Sequence, residues 1–280
     1  MIPIIKPSEL VALQNKEKFI LIDARTGAEG NKNYAELHLK NAFHINLEFD
    51  LAVKNSDPAK GGRHPLPDLD TFSEMLGKAG INRNSYVIIY DDKNGSNAAA
   101  RLWWMLKSIG HTKVQVIDGG FNQAIAAGFP ADSEKVIVTT IPSYKINHWK
   151  LPVVTIDEVE KVSQDKNFLV IDVRSSERYK GVTEPIDLIA GHIPGAVNLP
   201  FTENLDNKGF FKSPEELKLI YEKALENRTP ENVIVHCGSG VTACHTLLAM
   251  NYAGMEIPNL YVGSWSEWSR TNRPIDKDNL

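Results

Sequence analysis

The sequence predicts an α/β protein made of two tandem copies of one unit, each a parallel sheet flanked by helices. Three observations carry this. Short aliphatic runs alternate with amphipathic stretches that bear helix start signals, the pattern of buried parallel strands joined by crossover helices. The chain has 280 residues, long for a single core and suited to two domains of about 140. The third is self-similarity. Leu21-Ile22-Asp23-Ala24-Arg25 recurs as Val170-Ile171-Asp172-Val173-Arg174, and His38 with Ala42 recurs as His192 with Ala196. Val87-Ile88-Ile89-Tyr90-Asp91 answers Val233-Ile234-Val235-His236-Cys237, and Asp118-Gly119-Gly120-Phe121 with Pro130 answers Val262-Gly263-Ser264-Trp265 with Pro274. The offsets are 149, 154, 146 and 144 residues, so order is kept and spacing nearly so.

Helix starts are written locally. Thr155-Ile156-Asp157-Glu158 has the Thr-x-x-Glu capping pattern, Ser213-Pro214-Glu215-Glu216 has its serine form with proline at the first helical position, and Asp70 is placed to cap a helix through Lys78. Ile141 to Pro152 holds two prolines and no clear period, which makes it the linker. The expected domains are 1–140 and 152–280.

Hydrophobic content of 42% with 24% charged residues is that of an ordinary globular protein, and a net charge of −4 leaves no footprint for nucleic acid or an anionic membrane. No eighteen apolar residues run together, and the first residues lack a charged segment followed by an apolar one, so a cytoplasmic protein without a membrane partner is expected. The two cysteines, Cys237 and Cys244, lie in one loop-helix segment, which argues against a disulfide framework. No His/Cys/Asp spacing suggests a metal site and no Gly-x-Gly-x-x-Gly or Walker loop occurs, so neither metal nor cofactor is expected.

Chemistry concentrates at Cys237-Gly238-Ser239-Gly240-Val241-Thr242-Ala243-Cys244. The strand before it ends at the cysteine, the two glycines let the backbone curl, and a helix begins near Val241. Inward-turned amides and a helix N-terminus favour negative charge, so the Cys237 thiol should ionise below its free value of about 8.5 and act as a nucleophile. The matching position of the first half is Asp91, which offers no thiol nucleophile, so that half is expected to be catalytically silent. Asp23-x-Arg25 and Asp172-x-Arg174, present in both halves, read as structural ion pairs. His236, adjacent to Cys237 in a strand, points to the opposite face and reads as core. Cys244, Trp265 and Trp268 also read as packing residues.

The loop resembles the active-site loop of the rhodanese-like sulfurtransferases, and Cys-Gly-Ser-Gly-Val-Thr-Ala is similar to the form carried by 3-mercaptopyruvate sulfurtransferases. Thiosulfate-preferring members typically carry basic residues where Gly238 and Ser239 stand. The resemblance covers nearly the whole chain and implies two rhodanese folds packed face to face, with the active site at their interface. It implies that Cys237 carries a persulfide, that the loop residues Gly238, Gly240, Val241 and Thr242 surround the donor sulfur, and that Arg178 holds the donor's anionic end. Ser239 would donate to the donor's carbonyl, in a relay whose first-half histidine maps to His38 by the His-x-x-x-Ala pattern; His38 is equally a turn residue like His192. The family's second arginine, in a Glu-Pro-x-Arg segment, is absent from Glu184-Pro185-Ile186-Asp187, which leaves Lys180, or a first-half residue such as Arg63, to supply that charge. The implied partners are a small-molecule sulfur donor and a thiol acceptor, either a small thiol or a thioredoxin-like protein, with cyanide as an alternative acceptor.

Three readings stay open. The first is sulfur transfer, from 3-mercaptopyruvate or, alternatively, thiosulfate. The second is a cysteine phosphatase or arsenate reductase, disfavoured because Ala243 stands where a tyrosine-phosphatase-type loop needs arginine. The third is a non-catalytic sulfide-sensing or binding module.

Overall fold

The computed structural model describes residues 1–278. The strands are β1 (Ile4–Ile5), β2 (Ile20–Asp23), β3 (His38–Leu39), β4 (Phe43–His44), β5 (Val87–Tyr90), β6 (Val114–Ile117), β7 (Ala131–Asp132), β8 (Val153–Val154), β9 (Leu169–Asp172), β10 (Val197–Asn198), β11 (Val233–His236) and β12 (Asn259–Tyr261). One five-stranded parallel sheet runs β4-β2-β5-β6-β1 and the other β10-β9-β11-β12-β8, the same order twice. Registers agree as well: Asp23 lies beside Tyr90 in the first sheet, and Asp172 beside His236 in the second. β3 and β7 add a short antiparallel pair to the first unit. No helix among the described residues is long and apolar enough to cross a membrane.

The two compact units do not follow a single cut of the chain. The first comprises 1–53, 66–150 and 207–211; the second comprises, among the described residues, 54–65, 151–206 and 212–278. Arg63 and His64, encoded in the first half, therefore belong to the second unit. Residues 133–150, which hold most of the expected linker Ile141 to Pro152, have no regular structure but are held to the first unit. Ile141 N donates to Gly77 O, Lys150 N donates to Ser108 O, and the Trp149 ring packs on Phe72 and Trp104.

Both capping boxes expected at Thr155 and Ser213 form, each with its glutamate closing back on the cap. The helix Leu69–Lys78 is capped by Asp68 rather than Asp70, since Asp68 has the extended backbone a cap needs and accepts from Thr71 N at 2.8 Å.

The duplicated elements repeat to the level of single bonds. Arg25 and Arg174 each clamp the buried aspartate two residues earlier and lie over an aromatic ring, Phe121 and Trp265 respectively. Tyr34 stacks on His38 and donates to Ala42 O, and Tyr179 stacks on His192 and donates to Ala196 O.

Where the repeats differ is at the residue after β5 and β11. In the first unit Asp91 is fully buried, and its carboxylate accepts from the amides of Lys93 and Gly95 at 2.8 Å, Asn97 at 3.1 Å and Ala99 at 3.3 Å. Burial raises the Asp91 carboxyl above its ordinary range, against the pull of these four amides. The first unit's loop thus encloses an anion that the protein itself supplies. Asp91→Ala strips four amide donors, two of them buried, of their acceptor, and a loss of about 2–4 kcal/mol in chemical denaturation of the full chain is expected; a neutral result shows that the loop does not depend on this acceptor.

Candidate active site

β11 delivers Cys237 to the start of a loop that runs to the helix Ala243–Tyr252, two residues later than the sequence suggested. Cys237 is only 3% exposed. Its backbone is fixed from both sides: Cys237 N donates to Ser264 Oγ at 3.2 Å, Trp265 N donates to Cys237 O at 3.0 Å, and Ser266 N donates to Gly238 O at 2.8 Å. Gly240 turns the loop at φ +70, where an added Cβ meets the Val262 carbonyl oxygen at 2.5 Å, so only glycine fits. Val241 is buried and Thr242 half-buried at the entry to the helix. Cys244 Sγ lies 3.3 Å from Gly240 O, a packing position as expected. His236 is fully buried, and that burial lowers its pKa.

The segment 263–267 that fixes this loop also grips residues 61–63. Gly61 N donates to Glu267 Oε1 at 2.7 Å, and Arg63 N donates to Ser266 Oγ at 3.0 Å. Gly62 lies so close to Gly263 that an added Cβ would stand 2.4 Å from the Gly263 carbonyl oxygen. Burial pushes the Tyr261 hydroxyl far above its usual pKa, aided by Glu267, whose Oε2 accepts its hydrogen bond at 2.8 Å.

This grip brings His64 to the loop, with Nδ1 2.7 Å from Ser239 Oγ. His64, not His38, therefore stands in the position expected of the relay histidine. His38 is spent elsewhere: Nδ1 is 2.8 Å from Tyr34 O, Nε2 is 3.7 Å from Asp132, and the ring is stacked, as in its counterpart His192. The repeat offers a reason why the sequence pattern points to His38. The His-x-x-x-Ala pattern marks a turn shared by both halves, whereas Gly61-Gly62-Arg63-His64-Pro65 has no second copy, the sequence signal that could have singled out His64.

Over the loop lies a cluster of charges. Arg178 Nε donates to both Glu184 oxygens at 3.0 Å and Nη2 donates to Asp187 Oδ2 at 3.1 Å. Arg63 Nη1 and Arg270 Nη1 both donate to Asp187 Oδ1. Arg174 joins Glu184 to the Asp172 pair. Burial alone would raise Glu184, but hydrogen bonds from Arg178 and the Asp187 and Ile186 amides hold it below the usual carboxylate range. A Cβ added to Gly238 would meet Arg63 Nη2 at 3.2 Å, Arg178 Nη2 at 3.4 Å and Asp187 Oδ2 at 3.5 Å, which places the cluster against the residue next to the cysteine. Of the two substitutes considered for the missing second arginine, Arg63 is in place and Lys180 is exposed at the end of its helix. Arg270 carried no sequence signal. The site thus joins a cysteine, a hydroxyl–imidazole pair and a guanidinium cluster, which suits attack on an anionic sulfur donor and proton delivery to its leaving group.

Comparison with known proteins agrees with this chemistry. The rhodanese-like domain profile matches residues 6–127 and 155–271. A probable 3-mercaptopyruvate sulfurtransferase of Pseudomonas aeruginosa is 35% identical over 277 residues, 95% of each chain. A thiosulfate sulfurtransferase of Mus musculus is 35% identical over 257 residues, 88% of this chain and 82% of the relative. The solved 3-mercaptopyruvate sulfurtransferase of Leishmania major superposes with a TM-score of 0.80 at 29% identity, over 95% of this chain and 74% of that one. A paired repeat, a cysteine-bearing loop and these relatives together establish that the chain belongs to the rhodanese-like family, carries its domain twice in tandem and is a sulfurtransferase.

Proposed function

We propose that the protein moves sulfane sulfur from 3-mercaptopyruvate to a thiol through a persulfide on Cys237. The observation that carries this reading is the Ser239–His64 pair beside the cysteine, with no cationic side chain at 238 or 239. A thiosulfate leaving group departs as sulfite and needs no proton, whereas pyruvate departs as an enolate that does.

The thiolate of Cys237 attacks the donor sulfur. The new S–S bond forms as the donor's C–S bond breaks, and the electron pair of that bond passes to carbon, giving the enolate of pyruvate and Cys237–S–SH. Ser239 Oγ donates to the enolate oxygen as charge develops there, and His64 holds the hydroxyl in line and supplies the proton. Arg178 and Arg63 draw the donor's carboxylate to the cluster, where a guanidinium offers two parallel donors. In the second half-reaction an acceptor thiolate attacks the outer sulfur, takes it as a new persulfide and returns Cys237 as thiolate. A small thiol or a thioredoxin-like protein fits that step, and cyanide can replace it. The first unit contributes no nucleophile, since Asp91 occupies that position.

Cys237→Ser should abolish transfer while leaving the fold intact, because a hydroxyl is too weak a nucleophile to form the intermediate. Cys244→Ser should keep most of it. Intact-mass measurement after exposure to mercaptopyruvate should show a gain of one sulfur atom in the parent and in Cys244→Ser, and none in Cys237→Ser. A gain in Cys237→Ser contradicts the assignment of the nucleophile.

A further inference from the structure

We propose that Asp187 is a specificity-determining residue that sets the charge of the donor, favouring a singly charged carboxylate over a compact dianion such as thiosulfate. The inference rests on the reading that the guanidinium cluster beside Cys237 receives the donor's anionic end.

Three independent features of the loop support it. The first is that the loop is additional. In the first unit Tyr34 and His38 are four residues apart, and the equivalent Tyr179 and His192 are thirteen apart, so the catalytic unit carries nine extra residues between two structurally matched anchors. Glu184 and Asp187 lie in this insertion, which the silent unit lacks.

The second is that the insertion is turned against its own solvation. Ile186 is 57% exposed and Leu188 66% exposed, while the Asp187 side chain between them is fully buried. A carboxylate is rarely buried unless paired, so the three guanidinium groups, and not the hydrophobic effect, decide which way this segment faces.

The third is charge. Arg63, Arg174, Arg178 and Arg270 meet Asp172, Glu184 and Asp187, leaving the cluster with one net positive charge. Without Asp187 the cluster would carry two and would draw a dianion much more strongly. The interaction with a donor scales with its charge, so each positive charge removed weakens a dianion twice as much as a monoanion. Asp187 also accepts one N–H each from Arg63, Arg178 and Arg270, donors that a sulfonate-like group could otherwise take. Its carboxylate stands beside Gly238, the residue next to Cys237.

The test compares Asp187→Asn, Asp187→Glu and the parent enzyme with mercaptopyruvate and thiosulfate, and measures by calorimetry the binding of sulfate, an unreactive dianion, against pyruvate, a monoanion. Asp187→Asn should raise the thiosulfate-to-mercaptopyruvate ratio of kcat/KM by about tenfold or more, chiefly through KM, and should tighten sulfate more than pyruvate. Asp187→Glu, which keeps the charge, should return both ratios toward the parent's. Unchanged ratios in a folded Asp187→Asn protein overturn the proposal. Should Asp187→Asn fail to fold, Arg270→Gln removes one positive charge from the same cluster and must move both ratios in the opposite direction; ratios that stay fixed count equally against it. The sulfate and pyruvate measurements need no turnover. A parent enzyme inactive with mercaptopyruvate therefore defeats the proposed reaction, while the role of Asp187 is still decided by binding.

Discussion

Everything at the reactive end of the second unit depends on one short segment, residues 263–267. Its backbone and hydroxyls hold Cys237 and Gly238 on one side, while Ser266 and Glu267 hold Arg63 and Gly61 on the other. Each loop turns on glycines; residues 55–62 are tied among themselves through Asn55 and Asp57, yet nothing within that segment sets its distance from Cys237. A common brace gives both the same reference frame, and a hydroxyl–imidazole pair assembled from residues 175 positions apart then meets at 2.7 Å. Ser264 adopts a left-handed backbone, φ +54, to point its hydroxyl at the Cys237 amide while bonding Tyr261 O. Such strain persists only where surrounding structure overdetermines it, and the buried tryptophans at 265 and 268 supply that constraint.

The two halves are the same device with different occupants. In the first unit four amides converge on the carboxyl group of Asp91, which completes the loop with an acceptor the protein supplies itself. In the second, Cys237 takes the same place after the matching strand. Duplication has thus left two loops after matching strands, one closed on its own carboxylate and one carrying a cysteine.

The fold was legible because its signals are local or repeated. β-branched strands, capping boxes at Thr155 and Ser213, and twin Asp-x-Arg pairs each report their role within a few residues, and Cys237 stood out through its glycine turn. The departures are equally physical. Asp70 competes with Asp68 for one cap, and backbone geometry two residues upstream decides it. His64 could not be placed because its meeting with Ser239 depends on the close approach of Gly62 to Gly263, a tertiary fact that no local pattern encodes. His38 drew attention through a repeat pattern, yet a feature present in both halves marks what they share, which is structure. Arg270 and Asp187 escaped for the same reason as His64: an ion cluster of four arginines gathers residues from four separate segments.

The account stands most directly on which histidine serves Ser239. Pre-steady-state release of pyruvate from mercaptopyruvate isolates the step at which the proton is delivered, before any acceptor acts. His64→Ala should slow that burst by roughly a hundredfold while leaving one sulfur atom per chain as its eventual product, and His38→Ala should leave its rate close to the parent's. A burst that survives in His64→Ala and collapses in a folded His38→Ala would contradict the account at its centre.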